Sequence, residues 1–208
     1  MNQEPDYSLL FKGRQEGFQT LGNIYNLPTI RSPYDFIKSS YRGGKILDVG
    51  SGTHFYIRDL LKLDDQQYYS LDNDPSGEFS FNNVDEIPQG LEFDRIVMNQ
   101  LVEHLTIHNA FQLILGLYDH LKIDGLILAT TPNIFHPNRF WGDPTHVTAW
   151  SHSALYGLFR IAKYKNIQVF RYSKNRGPVD PLSWIVERIM RRLYRIDWHD
   201  SIMLIAQK

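Results

Sequence analysis

Apolar positions in this chain fall into two alternating patterns. Short apolar runs closed by Gly, Pro, Asn or Asp predict buried strands at 45–49 (KILDV), 67–71 (QYYSL), 93–98 (FDRIVM) and 126–130 (LILAT). A weaker run at 79–84 predicts a further strand, and 166–172 and 201–206 complete the set. Between them the spacing changes to a helical one. Ala110, Ile114, Leu117 and Leu121 share one face of a helix predicted over 107–121. Shorter helices are predicted at 55–63 and 151–163. Ser32-Pro33 and Asp180-Pro181 are helix-start signals, a capping side chain followed by proline at the first helical position. The first of these helices carries Tyr34, Phe36, Ile37 and Tyr41 and stops at Gly43-Gly44; the second runs to about 195.

Strand alternating with helix predicts an α/β, Rossmann-like fold: a mainly parallel sheet of about seven strands with helices on both faces. Residues 1–42 form a helical N-terminal cover and 43–208 the main domain. The last two strands can pair in either direction, because periodicity does not decide it.

At 208 residues the chain buries a full core without a staple. Cysteine is absent, which excludes a disulfide framework, a thiolate nucleophile and a Cys-type zinc site. No signal-peptide pattern opens the sequence, and its strongest apolar run, 111–118, is too short to span a bilayer. A cytoplasmic protein is expected. The net charge of −1 hides an asymmetry: residues 1–159 carry 11 Lys+Arg against 19 Asp+Glu, and 160–195 carry 10 against 2.

The first chemical feature is Asp48-Val49-Gly50-Ser51-Gly52-Thr53, between a strand and a helix. Glycines there let backbone approach a ligand, and the helix N-terminus offers free N–H groups. Asp72 follows 22 residues after Gly50, at the end of the second strand, where a carboxylate suits ribose hydroxyls. The dinucleotide fingerprint needs a glycine where Phe55 stands, and Asp48 would repel a pyrophosphate but attract a cation. An NAD site is therefore disfavoured.

These residues carry a family resemblance. ILDVGSGT resembles the first motif of class I S-adenosylmethionine-dependent methyltransferases. YYSLDNDP (68–75), VDEIP (84–88), FDRIVMNQLVEHL (93–105), LKIDGLILATTPN (121–133) and DPTHVTAWSHSALYGLF (143–159) resemble later segments in the same order. The Glu-His-Leu and Asp-x-x-His-Val stretches are similar to one large subgroup. The resemblance covers about 43–172. Departures are His54 where a third glycine is common, Asp124 at a glycine turn, and a short 63–88 segment.

The resemblance implies S-adenosylmethionine as cofactor. Gly50, Ser51 and Gly52 would present backbone, Asp48 would favour the cationic end, and His54 would stand beside the methionine moiety. Asp72 and Asn73 would meet the ribose, Asp85 and Glu86 the adenine, and Asn99 and Gln100 the reacting methyl. It implies methyl transfer, with the histidines pointing to an oxygen of a small-molecule or sugar acceptor. A non-catalytic, cofactor-binding relative acting as partner or regulator is the alternative, prompted by His54 and the abbreviated third strand.

For proton transfer the candidates are His146, His104 and Asp143, with His146 preferred for its place in the loop after the fifth strand. Glu103-His104 reads first as a helix cap. Glu103, His104, Asp143 and His146 also offer metal-ligand chemistry, but no tight ligand spacing such as H-E-x-x-H occurs, so no metal is expected. The loop 132–150 holds Phe135, Phe140, Trp141 and Trp150, which suit either a lid or the edge of a core. Helix 181–195 is amphipathic, with Leu182, Ile185, Val186, Ile189, Met190, Leu193 and Ile196 on one face and Arg188, Arg191, Arg192, Arg195 and Trp184 on the other. Packing of its apolar face on the sheet is the expected arrangement; peripheral contact with an anionic membrane and binding of a phosphorylated acceptor are the other readings. Nucleic acid is disfavoured by the acidic remainder and the lack of a reader motif. The oligomeric state is left open.

Overall fold

The computed structural model describes residues 7–173 and 180–208. Its centre is a six-stranded sheet. The strands are β1 (Ile46–Val49), β2 (Tyr68–Leu71), β3 (Phe93–Asn99), β4 (Leu121–Pro132), β5 (Lys165–Tyr172) and β6 (Ser201–Gln207), in the spatial order β2-β1-β3-β4-β6-β5. β2, β1, β3 and β4 run parallel, and β6 enters antiparallel between β4 and β5.

Side chains alternate across each strand, so the sheet divides two apolar cores. Leu47, Ile96, Met98, Ile127 and Leu204 face one core, with Ala110, Ile114 and Leu117 of α4 (Ile107–Asp119) and Leu155, Leu158 and Phe159 of α5 (His152–Ile161). Ile46, Val97, Leu128, Met203 and Ile205 face the other, with Ile37 of α2 (Pro33–Ser40) and Ile57 of α3 (Tyr56–Leu61). Helices therefore cover both faces, as the alternation predicts.

Three expectations are corrected. The sheet has six strands rather than seven. The predicted strand at 79–84 reduces to one parallel bridge, Leu71 to Phe81. Phe81 is the buried residue of that run and Val84 packs against the core more shallowly, while Asn82 and Asn83 between them are exposed and bond the Glu86 carboxylate, so no strand-like apolar face extends past the bridge. The strand expected at 126–130 begins at Leu121, which pairs with Phe93 before Asp124 turns left-handed (φ 62°) and shifts the register. The third correction concerns α6 (Pro181–Tyr194): its apolar face does not lie on the sheet. Leu182 is 70% exposed and Leu193 66%, and no residue of the helix is buried.

The N-terminal cover is fastened to the domain at several points. α1 (Tyr7–Leu21) lies against α5 with backbone almost in contact. A Cβ on Gly13 would sit 2.9 Å from the Gly157 carbonyl oxygen, and one on Gly17 2.6 Å from that of Ser153. Thr29 extends the sheet by a parallel bridge to Arg171. Arg171 is 9% exposed and donates to Tyr25 and Leu27 carbonyls and to Asp197 Oδ1 at 3.0 Å. Asp197 also accepts from Asn133 and His199. Ser32 caps α2 as predicted, accepting from the N–H groups of Tyr34 and Asp35.

Candidate functional site

The carboxyl ends of β1, β2 and β3 form one edge, where parallel α/β sheets bind ligands. β1 ends in the glycine turn. Gly50 has φ 70° and Gly52 φ 57°, conformations that disfavour other residues. A Cβ at Gly50 would also strike Leu101, whereas the space over Gly52 is open. Phe55, at the sixth fingerprint position, is itself left-handed (φ 44°) and packs edge-on to Tyr68 and Phe79.

Asp72 Oδ2 accepts from the Gly52 N–H at 2.8 Å, and Oδ1 from Asp74 N–H at 3.1 Å. Gly50, Asp72, Asn73 and Asp85 line one cleft of about 660 Å³, walled by Leu101, Leu105 and Gly116. That size falls within the usual range for small-molecule and cofactor sites. Four residues predicted for one cofactor are thus brought together by the fold. Glu86 is turned away, bonding the Asn82 and Asn83 amides. Asp48 acts from beneath the loop: it is 4% exposed and accepts from the Tyr68 hydroxyl at 2.9 Å. Burial raises its pKa to about 6 against the Tyr68 hydrogen bond, with Asp72 adding to the rise. Ser51 Oγ is buried beside Tyr68. His54 is exposed on the loop.

At the end of β3, Asn99 and Gln100 are locked in a network. Thr130 Oγ1 donates to Asn99 Oδ1 at 2.9 Å and accepts from the Gln100 backbone and side chain, each at 3.0 Å. Asn99 Nδ2 donates to the Tyr34 hydroxyl at 3.1 Å. Tyr34 comes from the cover, and burial raises its pKa. Gln100 is left-handed (φ 53°) and also reaches Tyr172 at 3.5 Å. Tyr34, Thr130 and Tyr172 join Asn99 and Gln100 only through the fold; their separation along the chain leaves no local signal in the sequence.

The histidine candidates meet beyond β3. A 3-10 turn, Val102–His104, precedes α4, whose cap is Thr106 rather than the Glu-His pair. Val147 and Thr148 N–H groups donate to the Glu103 carbonyl, and Trp150 Nε1 to that of Val102. These bonds draw the loop after β4 over the turn. The His104 and His146 rings come to 5.0 Å. His146 stacks on Phe140, and its Nδ1 lies 2.7 Å from the Phe140 carbonyl. That contact requires a proton on Nδ1, and in the neutral ring Nε2 is then the acceptor nitrogen. Asp143 Oδ2 lies 3.8 Å from Nε2. The Thr145 hydroxyl donates to Asp143 Oδ1, so His104 Nδ1 is the donor to Thr145 and its Nε2 is the acceptor nitrogen as well. Asp143 is exposed, and its bonds from Thr145 lower its pKa.

Glu103 is fully buried, and neither carboxylate oxygen has a hydrogen-bond partner of good geometry. Burial raises its pKa to about 7; its own N–H and the Thr131 hydroxyl offset this only in part, and Asp143 adds to it. Of the four residues named for metal-ligand chemistry, Glu103, His104 and His146 each bring a ligating atom within 4.8 Å of the others, a grouping that could hold a metal ion. In the loop, Phe140 and Trp150 are buried and Trp141 is exposed, so most of its aromatic content closes the core edge.

No family model and no curated protein matches this sequence. Solved structures do. A S-adenosylmethionine-dependent methyltransferase from Archaeoglobus fulgidus superposes with a TM-score of 0.64 at 18% identity, over 98% of this chain and 100% of that one. This chain has the Rossmann-like methyltransferase fold. A possible histamine N-methyltransferase from Thermotoga maritima matches with a TM-score of 0.60 at 13% identity, over 98% and 94% of the two chains. Phosphoethanolamine N-methyltransferase 2 from Haemonchus contortus, in complex with S-adenosylmethionine, matches with a TM-score of 0.60 at 13% identity, over 95% of this chain and 57% of that one. At these identities the likeness carries the fold.

Proposed function

We propose that the protein transfers the methyl group of S-adenosylmethionine to a hydroxyl oxygen of a small-molecule or sugar acceptor. The observation that carries this reading is the Gly50–Asp72–Asp85 cleft at the carboxyl ends of β1 and β2, whose Leu101 and Leu105 wall flanks His104, the partner of His146 in the imidazole pair. The donor set fits the cofactor: open space over Gly52, a carboxylate for two ribose hydroxyls, and a buried acid below a cationic centre.

When bound, the cofactor supplies a methyl group already activated on a sulfonium. The chain's own contribution is then position and proton handling. Asp72 and Asn73 would hold the ribose, and Asp85 would stand on the adenine side. Asn99 and Gln100, immobilised by Thr130, would border the methyl. His146, its tautomer set by the Phe140 carbonyl, receives the acceptor's hydroxyl proton at Nε2, and Asp143 stabilises the resulting imidazolium. His104 presents a second such nitrogen. The reduction of the third strand to the Leu71–Phe81 bridge favours the alternative, a non-catalytic cofactor-binding role.

Calorimetric titration of S-adenosylmethionine and S-adenosylhomocysteine, with NADH as control, tests the cofactor. Saturable binding of the first two and none of NADH is expected, followed by methyl transfer in a hydroxyl-acceptor screen. No binding overturns the reading. Binding with no transfer to any class of acceptor favours the non-catalytic role.

A further inference from the structure

Helix α6 is amphipathic but turned the wrong way for a helix held by its own domain. Leu182, Ile185, Val186, Ile189 and Leu193 recur at helical spacing and are 48–70% exposed. The side facing the body is the basic one. The Arg191 guanidinium lies 3.9 Å from the Tyr25 ring centre, and the Tyr25 hydroxyl donates to the Ile196 carbonyl. A groove of about 810 Å³, bordered by Arg171, Trp184, Arg188 and Trp198, separates the helix from the Arg171–Asp197 cluster. A 14-residue helix with so little packing is marginal in water and needs a covering surface.

We propose that α6 is an interfacial anchor lying in the headgroup plane of an anionic lipid bilayer. Charge selects this occupant. At 100° per residue Arg192 borders one edge of the aliphatic stripe, and Arg188 stands beside it over the Trp184 ring; both line the groove yet are exposed, within reach of headgroups while the stripe enters the acyl boundary. Residues 160–195 hold 10 basic side chains against 2 acidic, whereas the body before them is acidic; Arg160 and Arg171 are paired with Glu16 and Asp197, and Arg188, Arg191, Arg192 and Arg195 stand on or at the end of α6 against one acid, Glu187. The helix's own cap, Asp180, has its carboxylate committed to Leu182, Ser183 and the first turn. A bilayer requires no matching partner surface. Exposed Phe11 and Phe18 of α1 share a neighbouring groove with Arg14 and Arg195, adding apolar and basic groups beside the anchor.

The test is co-sedimentation of the full chain with phosphatidylcholine vesicles with and without phosphatidylserine. Binding to the anionic vesicles is expected, at least tenfold weaker to the neutral ones and reduced by high salt. Ile189→Glu and the pair Arg188→Glu/Arg192→Glu each weaken it at least tenfold. All three positions are exposed, so an unchanged melting temperature certifies the fold. Equal binding to both vesicle types, or indifference to Ile189→Glu, overturns the proposal. A concentration-dependent dimer that Ile189→Glu abolishes, seen by light scattering without vesicle binding, overturns it in favour of self-association.

Discussion

Asp72 accepts a hydrogen bond from the Gly52 N–H at 2.8 Å, so the carboxylate assigned to the ribose also holds the glycine turn in place. Its second oxygen accepts from Asp74. The acid at the end of β2 is thus oriented before any ligand arrives, and little order is left to be imposed on binding. Asp72→Ala removes both the ribose partner and the tie to the loop. The expected loss of affinity for S-adenosylmethionine and S-adenosylhomocysteine is at least tenfold, about 1.4 kcal/mol. Asp72→Asn keeps an oxygen that can accept from Gly52 and should lose less. Calorimetry on the two variants decides. Unchanged affinity in Asp72→Ala would remove Asp72 from the site.

Glu103 makes stability depend on pH. Its pKa rises on folding from 4.5 to about 7, so the native state holds the proton more tightly than the unfolded chain. The stabilisation carried by the neutral form is complete below the unfolded value and is lost as pH rises through about 7. Its ceiling is on the order of 3 kcal/mol. Glu103→Gln keeps the shape without the ionisation. Urea unfolding of both proteins from about pH 5 to about pH 8 should show the wild type losing stability relative to the variant as pH rises. Asp48, raised to about 6, contributes to both proteins alike and cancels in the difference. A difference that is flat with pH would refute the assignment.

The parts of this molecule that were legible from sequence are those written in local patterning. β1, β2, β3 and the core of β4 are apolar runs between turn formers, and α4 shows its buried face as Ala110, Ile114 and Leu117. Ser32 caps α2 through contacts with its immediate neighbours. What escaped depends on distant pairing. The run at 79–84 has strand-like residues, but with Phe81 its deeply buried one it cannot sustain a strand. Tyr34 meets Asn99 across 65 positions of chain. Glu103 looked like a cap because its pattern is that of a helix start, yet the capping side chain is Thr106 and Glu103 is buried under the returning loop. The amphipathicity of α6 was plain in its spacing; which way it faces was not, since a stripe does not say what covers it.

Arg171 is the fastening between cover and sheet. One guanidinium reaches the carbonyls of Tyr25 and Leu27 and the carboxylate of Asp197, a fan of acceptors that an ammonium does not match. Burial by itself would raise the pKa of Asp197; hydrogen bonding from His199 and the Arg171 charge outweigh it, and the group is held below the usual range. Arg171→Met leaves that carboxylate buried with its main counter-charge gone, which should cost about 3–5 kcal/mol. Arg171→Lys should recover only part. Urea unfolding measures both, and proteolysis of α1 should quicken with the loss. A cost below about 1 kcal/mol would mean that the pair behaves as a surface ion pair.

His146 gives the sharpest test of the proposed chemistry, because its geometry separates proton transfer from binding. Its Nδ1 is held by the Phe140 carbonyl and its ring by the Phe140 side chain, away from the Gly50–Asp72 cleft wall. His146→Ala should therefore lower kcat by about 10²- to 10⁴-fold while the dissociation constant of S-adenosylmethionine stays within about twofold. His104→Ala, which leaves the His146 tautomer intact, should cost less. Asp143→Asn keeps the acceptor for Thr145 but removes the charge near Nε2, and should lower kcat without changing cofactor affinity. Steady-state kinetics with calorimetry on the same three variants separates the cases. If His104→Ala is the more damaging, the two imidazoles exchange roles; if all three variants keep full kcat, the pair is structural, and the acceptor's proton leaves by another route.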